Sequence, residues 1–198
     1  MVVTGASLLK GGDPVDACRR AVRGGATAVQ VRLKNALPRD VLALARLLVS
    51  ALAVPVLVND RVDVALAADA AGAHLGQDDP PLNALRPHVP PGFLLGISVG
   101  SEMEAARVRG WDADYWSIGP CYGTAHKSDA GPPLGPGGFA TLARLAPVGV
   151  PVIGIGGITA RNAGAIIAAG ASGVAVIGAI WDASDAEAAA RAIRSACA

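Results

Sequence analysis

The chain has 198 residues, 52% of them hydrophobic, with 17 Lys and Arg against 16 Asp and Glu and a formal net charge of +1. That length suits one core and one domain. An apolar content this high with so little net charge excludes disorder, and no basic cluster with interleaved aromatics suggests a nucleic-acid or membrane-surface partner.

Apolar runs and helical patterns alternate from end to end. A short opening strand is expected at Val2–Thr4, and then runs of strand type at Thr27–Leu33, Pro55–Asn59, Gly72–Leu75, Phe93–Ser98, Ala113–Gly119, Pro151–Ile155 and Gly173–Ile177. The helical spacings between them cover Pro14–Arg23, Arg39–Leu52, Val62–Ala68, Met103–Arg109, Phe139–Leu145, Ala160–Ala169 and Ala186–Ala196, with Leu82–Arg86 as a single turn. Asp13-Pro14 reads as an N-cap followed by proline at the first helical position. Thr159 and Ser184 are expected to cap their helices in the same way. Strands alternating with helices imply parallel pairing with right-handed crossovers. A count near eight favours a closed barrel, the single-domain α/β TIM (β/α)8 architecture, over an open doubly wound sheet. Gly11-Gly12 after the first strand does not form the Gly-x-Gly-x-x-Gly turn of a dinucleotide fold. The one long loop is expected at Pro120–Gly138.

The apolar stretches are interrupted by Gly, Pro or charge well short of a membrane span. The N-terminus has no basic segment ahead of an apolar core, so no secretion signal is expected. Cys18, Cys121 and Cys197 match neither a zinc pattern nor a disulfide framework, which fits a cytoplasmic protein. Cys121 has no His partner in sequence and reads as a small buried residue. Trp111, Trp116 and Trp181 are too few for a base-stacking platform and are expected to cover the helix layer.

In a β/α barrel the chemistry collects at the C-terminal ends of the strands. Polar residues accumulate there. Gln30, Arg32 and Lys34 alternate with Val29, Val31 and Leu33, so a strand puts the amide and both cations on one face. Burying them requires a partner, and a polyanionic ligand is the simplest one; an edge strand with a solvated polar face is the alternative. Asp60 and Asp79, at neighbouring strand ends, suit Mg²⁺, which needs only one or two carboxylates beside water and phosphate oxygens. The alternatives are a helix cap for Asp60 and a loop carboxylate for Asp79. Gly156-Gly157, with Gly178 in the next loop, has the pattern of a phosphate site at helix N-termini, or of ordinary tight turns. Thr124 and Lys127 could join Arg32 and Lys34 in clamping a diphosphate, although an isolated loop lysine is often merely solvated. Ser98 offers a hydroxyl, or caps its strand. His74 reads as structural, His88 as a surface residue and His126 as ambiguous.

These residues together spell out a family. Gln30-Val-Arg32-Leu-Lys34, Asn59-Asp60-Arg61-Val-Asp63 and His74-Leu-Gly-Gln77-Asp78-Asp79 are followed by Gly119-Pro120 with Thr124, Lys127 and Asp129, and then by Gly154-Ile-Gly156-Gly157-Ile158. In that order and over nearly the whole chain they resemble thiamine phosphate synthase. The resemblance implies a TIM barrel that joins a pyrimidine methyl diphosphate to a thiazole ethyl phosphate, with Mg²⁺ as cofactor and these two small molecules as partners. It implies that Gln30, Arg32, Lys34, Asn59, Ser98, Lys127 and Gly157 bind the pyrimidine diphosphate, with Lys127, Arg32 and Ser98 the candidate catalytic side chains. Asp60 and Asp79 would hold the metal. Thr124 and its loop neighbour His126, with Ile177 and Gly178, would bind the thiazole phosphate. Homodimers are common in the family, though no stretch of the sequence marks an interface.

The chain departs from the family pattern at Gly123, usually Pro, at His126 in a loop usually reading T-x-T-K, and at Gly178, usually Ser. The related thiazole tautomerases share the barrel but tend to lose the metal carboxylates and to carry His where this chain has Pro120. Retention of Asp60 and Asp79 favours the synthase, and His126 keeps the tautomerase open. A non-catalytic phosphate sensor should have lost the cationic strand or the acidic pair.

Overall fold

In the computed structural model, which describes residues 1–5, 13–124 and 131–198, eight parallel strands form one sheet whose spatial order is their chain order. They are β1 (Val2–Val3), β2 (Val29–Val31), β3 (Val56–Asn59), β4 (Gly72–Leu75), β5 (Leu94–Val99), β6 (Tyr115–Ile118), β7 (Val152–Ile155) and β8 (Gly173–Ala175). The sheet curls until its ends meet. Val2 bridges Val176, and the Val3 N–H donates to the Val176 carbonyl at 2.9 Å. The expected barrel is therefore what the chain forms, and closure leaves no open sheet edge.

The outer layer comprises α1 (Pro14–Arg23), α2 (Pro38–Ala51), α3 (Val62–Ala67), α4 (Leu82–Leu85) with a following 3-10 turn, α5 (Glu102–Val108), α6 (Gly135–Ala143), α7 (Ala163–Ala168), α8 (Gly178–Trp181) and α9 (Ala186–Ala196). Val29, Val31, Ala73, Leu75, Leu95, Ile97, Trp116 and Ile118 point outward from the sheet and are fully buried beneath these helices. Small residues on the helices, such as Cys18, Ala21 and Ala45, let them approach closely. No helix among the described residues is long and apolar enough to cross a membrane.

Several expected boundaries move. Strand β2 ends at Val31 and does not run to Leu33, so Arg32 and Lys34 belong to the loop that leaves it. Helix α6 starts at Gly135, earlier than expected, because Pro136 fits the first turn, where its missing N–H is no loss. Asp13 caps α1 as expected, accepting the Val15 N–H at 2.8 Å. Thr159 is not a cap: helix α7 begins only after Asn162. Asp185, not Ser184, caps α9, because its carboxylate reaches both the Glu187 and the Ala188 N–H. Helix α8, one turn long, went unseen in the sequence.

One register row inside the barrel is set by a missing side chain. His74, Gly96 and Tyr115 face one another across β4, β5 and β6. A Cβ on Gly96 would run into the Tyr115 ring. Glycine thus opens the gap through which Tyr115 stacks on His74, with ring centroids 5.5 Å apart. Gly96→Ala overfills that row. It should lower stability by about 1–3 kcal/mol, which for a chain of this size is a fall in Tm of roughly 2–4 °C per kcal/mol. Calorimetry of the variant checks this, and an unchanged Tm would contradict it.

Candidate functional site

The C-terminal ends of the strands open into a cavity of about 990 Å³. Gln30, Arg32, Lys34, Asn59, Asp60, Asp79, Ser98, Thr124, Gly157, Ile177 and Gly178 all line it. Residues from seven strand ends and the loops that follow them thus meet in one place. His126 and Lys127 lie outside the described residues.

Strand alternation turns only Gln30 inward, 3% exposed inside the barrel, while the loop that leaves β2 brings a half-buried Arg32 and a half-buried Lys34 to the same cavity. Strand β2 lies between β1 and β3, so it is not an edge strand with a solvated face.

The acidic pair sits beside these cations. Asp60 adopts φ +64°, a left-handed conformation that Asp tolerates better than most residues. The Asp60 N–H donates to the His74 carbonyl at 2.8 Å, and the Arg61 N–H folds back to the Asn59 carbonyl at 2.8 Å. This tight turn brings the Asp60 carboxyl within hydrogen-bonding reach of Asp79. Asp79 in turn accepts the Gly76 N–H on Oδ2 at 2.7 Å, which fixes its orientation. Asp60 as a residue is exposed at the rim, yet its carboxyl is held above the ordinary carboxylate range. Partial burial is the main cause and the like charge of Asp79 the second, with Arg32 pulling the other way. Asp60 does not cap α3, whose cap position is Arg61 and carries no side-chain capping hydrogen bond.

The donor set is all oxygen, concentrated negative charge relieved by any cation that comes between, and it fits Mg²⁺. Among the described residues no three His, Cys, Asp or Glu side chains converge. A cation held here would complete its shell with water and ligand oxygens.

A polar relay crosses the cavity floor. The Gln30 amide hydrogen-bonds the Tyr115 phenol, pulling its pKa down against the larger upward effect of burial. The Tyr115 hydroxyl is 2.9 Å from His74 Nδ1, and His74 Nε2 is 2.9 Å from Ser98 Oγ. The imidazole thus links the phenol to the Ser98 hydroxyl, and Ser98 lines the cavity. Gln77 braces the same strand end, its amide donating to the Ser98 carbonyl at 2.6 Å. Sequence reading assigned His74 to structure and passed over Tyr115 and Ser117. All three sit at inward positions, and the period-two alternation of β6, with Trp116 and Ile118 outward, was the signal available.

Across the cavity Gly156 and Gly157 adopt φ +95° and +61°. A Cβ on Gly157 would meet the Gly123 carbonyl, and one on Gly156 would meet Pro120. The β6 loop rests on this turn as an extension of the sheet: Cys121 N–H donates to the Ile155 carbonyl at 2.8 Å and Tyr122 N–H to the Gly156 carbonyl at 2.9 Å. Asn162 ties the turn from behind, accepting the Thr159 N–H at 2.7 Å and donating to the Gly157 carbonyl at 3.1 Å. Cys121 is buried, and burial pushes its thiol up to about 11, so it holds no thiolate at neutral pH.

The comparisons with known proteins point the same way. A family model described as thiamine monophosphate synthase matches residues 1–180. A thiamine-phosphate synthase of Roseiflexus castenholzii is 47% identical over 182 residues, spanning 90% of this chain and 79% of the relative. One from Methanoculleus marisnigri is 45% identical over 197 residues, spanning 98% and 92%. The solved thiamine phosphate pyrophosphorylase from Pyrococcus furiosus superposes with a TM-score of 0.86 at 33% identity, covering 99% of this chain and 93% of that one. A family match over nine-tenths of the sequence, with identities this high over 90% or more of the chain, is a statement of descent: the chain belongs to the thiamine monophosphate synthase family.

Proposed function

We propose that this protein is a thiamine-phosphate synthase that condenses 4-amino-2-methyl-5-pyrimidinylmethyl diphosphate with thiazole ethyl phosphate, releasing diphosphate and thiamine phosphate. The observation that carries the reading is the convergence, in one cavity, of a cation-bearing strand end, an acidic pair and a glycine turn. These three features suit, respectively, a diphosphate, its metal and a second phosphate.

In this reading the C–O bond to the diphosphate breaks, with the electron pair leaving on oxygen. The thiazole nitrogen gives its lone pair to the methylene carbon and becomes cationic, so no proton need be removed. Asp60 and Asp79 would hold Mg²⁺, which when bound supplies charge neutralisation for the leaving group. Arg32 and Lys34, with Lys127, add donors where negative charge develops. Asn59 would contact the same substrate. Ser98 and Gln30, oriented by Tyr115 and His74, present a donor and an amide edge matched to an aminopyrimidine ring. The carbonyl oxygen of Gln30 would accept from the amino group, and the Ser98 hydroxyl would donate to a ring nitrogen. Thr124, His126, Ile177 and Gly178 would hold the second substrate's phosphate so that its nitrogen meets the carbon as it is released, while Gly157 would contact the pyrimidine diphosphate. Positioning then carries much of the rate, and the absence of a thiolate at Cys121 agrees with chemistry that needs no protein nucleophile.

The deciding experiment mixes purified protein with both substrates, with and without Mg²⁺, and detects thiamine phosphate. Metal-dependent product is expected. Folded protein that makes none, or that instead isomerises a thiazole, would overturn the reading. Asp60→Asn should reduce turnover at saturating substrate by about 100-fold or more, about 2.7 kcal/mol of barrier, and shift the Mg²⁺ requirement upward. A Mg²⁺ titration of the rate checks this. Tyr115→Phe removes one hydroxyl from the relay and should cost about tenfold in kcat/KM for the pyrimidine substrate. The KM for the thiazole phosphate should stay unchanged, and steady-state kinetics with each substrate varied in turn tests the split.

A further inference from the structure

We infer that Thr4 is a positioning residue for the diphosphate end of the cavity, acting through the backbone of Arg32. Regular pairing between β1 and β2 stops at Val3 and Gln30. One more ladder bond follows, from the Thr4 N–H to the Gln30 carbonyl at 2.8 Å. In a parallel ladder the next bond would run from the Arg32 N–H to the Thr4 carbonyl. Here it runs to the side chain instead. Thr4 Oγ1 accepts the Arg32 N–H at 2.7 Å and donates its own proton to the Arg32 carbonyl at 3.1 Å.

One hydroxyl therefore satisfies both backbone groups of Arg32 as the chain leaves the sheet. It must be a group that donates and accepts, which a hydroxyl does and a methyl does not. Thr4 is completely buried, so water cannot substitute. Thr4 is not among the residues that line the cavity, whereas Arg32 is. Its effect on a ligand must travel through the residue it holds. Pinning the peptides on both sides of Arg32 fixes the direction of its Cα–Cβ bond, and with it the arc from which the guanidinium reaches inward. Small misplacements of a binding group carry large penalties in rate.

The inference rests on Arg32 binding the diphosphate, as proposed above, and the experiment keeps the two apart. KM for each substrate is measured for the unaltered protein, Thr4→Val, Thr4→Ser and Arg32→Ala, and the Kd of inorganic diphosphate with Mg²⁺ is measured by calorimetry. Thr4→Val keeps the shape and loses the hydroxyl. It should raise the KM for the pyrimidine diphosphate and the Kd for diphosphate by about tenfold, and leave the KM for the thiazole phosphate within about twofold. Thr4→Ser should restore most of the loss. Should Thr4→Val not fold, Thr4→Ala set against Thr4→Ser reads the same hydroxyl. Val and Ser variants that behave alike, or a parallel rise in both KM values, would overturn the inference. Arg32→Ala with no effect on diphosphate binding would overturn the assignment of Arg32 itself. An effective Arg32→Ala beside a silent Thr4→Val overturns only the role of Thr4.

Discussion

The structure depends on a strand two residues long. Strand β1 is the keystone of the barrel, since it must pair with β2 on one side and β8 on the other for the sheet to close. Its end also serves the functional face. The Val3 carbonyl accepts the indole N–H of Trp181 at 2.7 Å, which ties α8, with Gly178 at its start, to the closure point. Thr4, the next residue, ties the loop carrying Arg32. Two loops that would meet different substrates are thus referenced to one point of backbone. A barrel without a closed seam would let those loops drift apart by the breadth of the gap, so closure does more here than bury apolar surface.

Close approach is the second constraint, and glycine supplies it at both walls of the cavity. On one wall Gly96 lets Tyr115 reach His74. On the other the left-handed Gly156-Gly157 turn lets the β6 loop settle against β7, so the two loops share backbone hydrogen bonds. Each glycine forgoes a side chain that a sheet or turn would otherwise pack. The space is filled at once by a neighbour whose position then becomes fixed. Order in the cavity thus comes from contacts made by neighbours where the glycines left room.

This explains which parts of the molecule the sequence displayed. Repetition along the chain shows in composition, so the eight strands and their parallel order could be read from apolar runs alternating with helical spacing. Gln30 could be read because period-two alternation is local, whereas Arg32 and Lys34 reach the same cavity from the loop beyond the strand. Thr4 could not, because its partner is 28 residues away and a lone threonine at a strand end has many ordinary uses. The relay was hidden for the same reason: Tyr115 and His74 lie 41 residues apart, and only the register of three strands aligns them. The cap positions of α7 and α9 lie one to three residues beyond the expected Thr159 and Ser184. At α9 Asp185 captures the free N–H groups and at α7 no side chain does; which neighbour caps depends on how the preceding loop turns, and Thr, Asn, Ser and Asp all have the right chemistry.

The electrostatics of the rim follow from this geometry. Asp60 is held in a left-handed turn that brings it to Asp79, whose like charge adds to the cost of ionising Asp60. Left alone, such a pair is unfavourable, and Arg32 offsets only part of the repulsion. In the proposed function a divalent cation and a polyanion arriving together would settle both sides: the metal would relieve the carboxylates, and the diphosphate would accept from Arg32 and Lys34. Arg32 faces both the acidic pair and the cavity, so its placement would set how strongly the two events are coupled. A rim built this way would favour a metal–diphosphate complex over the free components, and the buried hydroxyl of Thr4 would hold the backbone on which that discrimination turns.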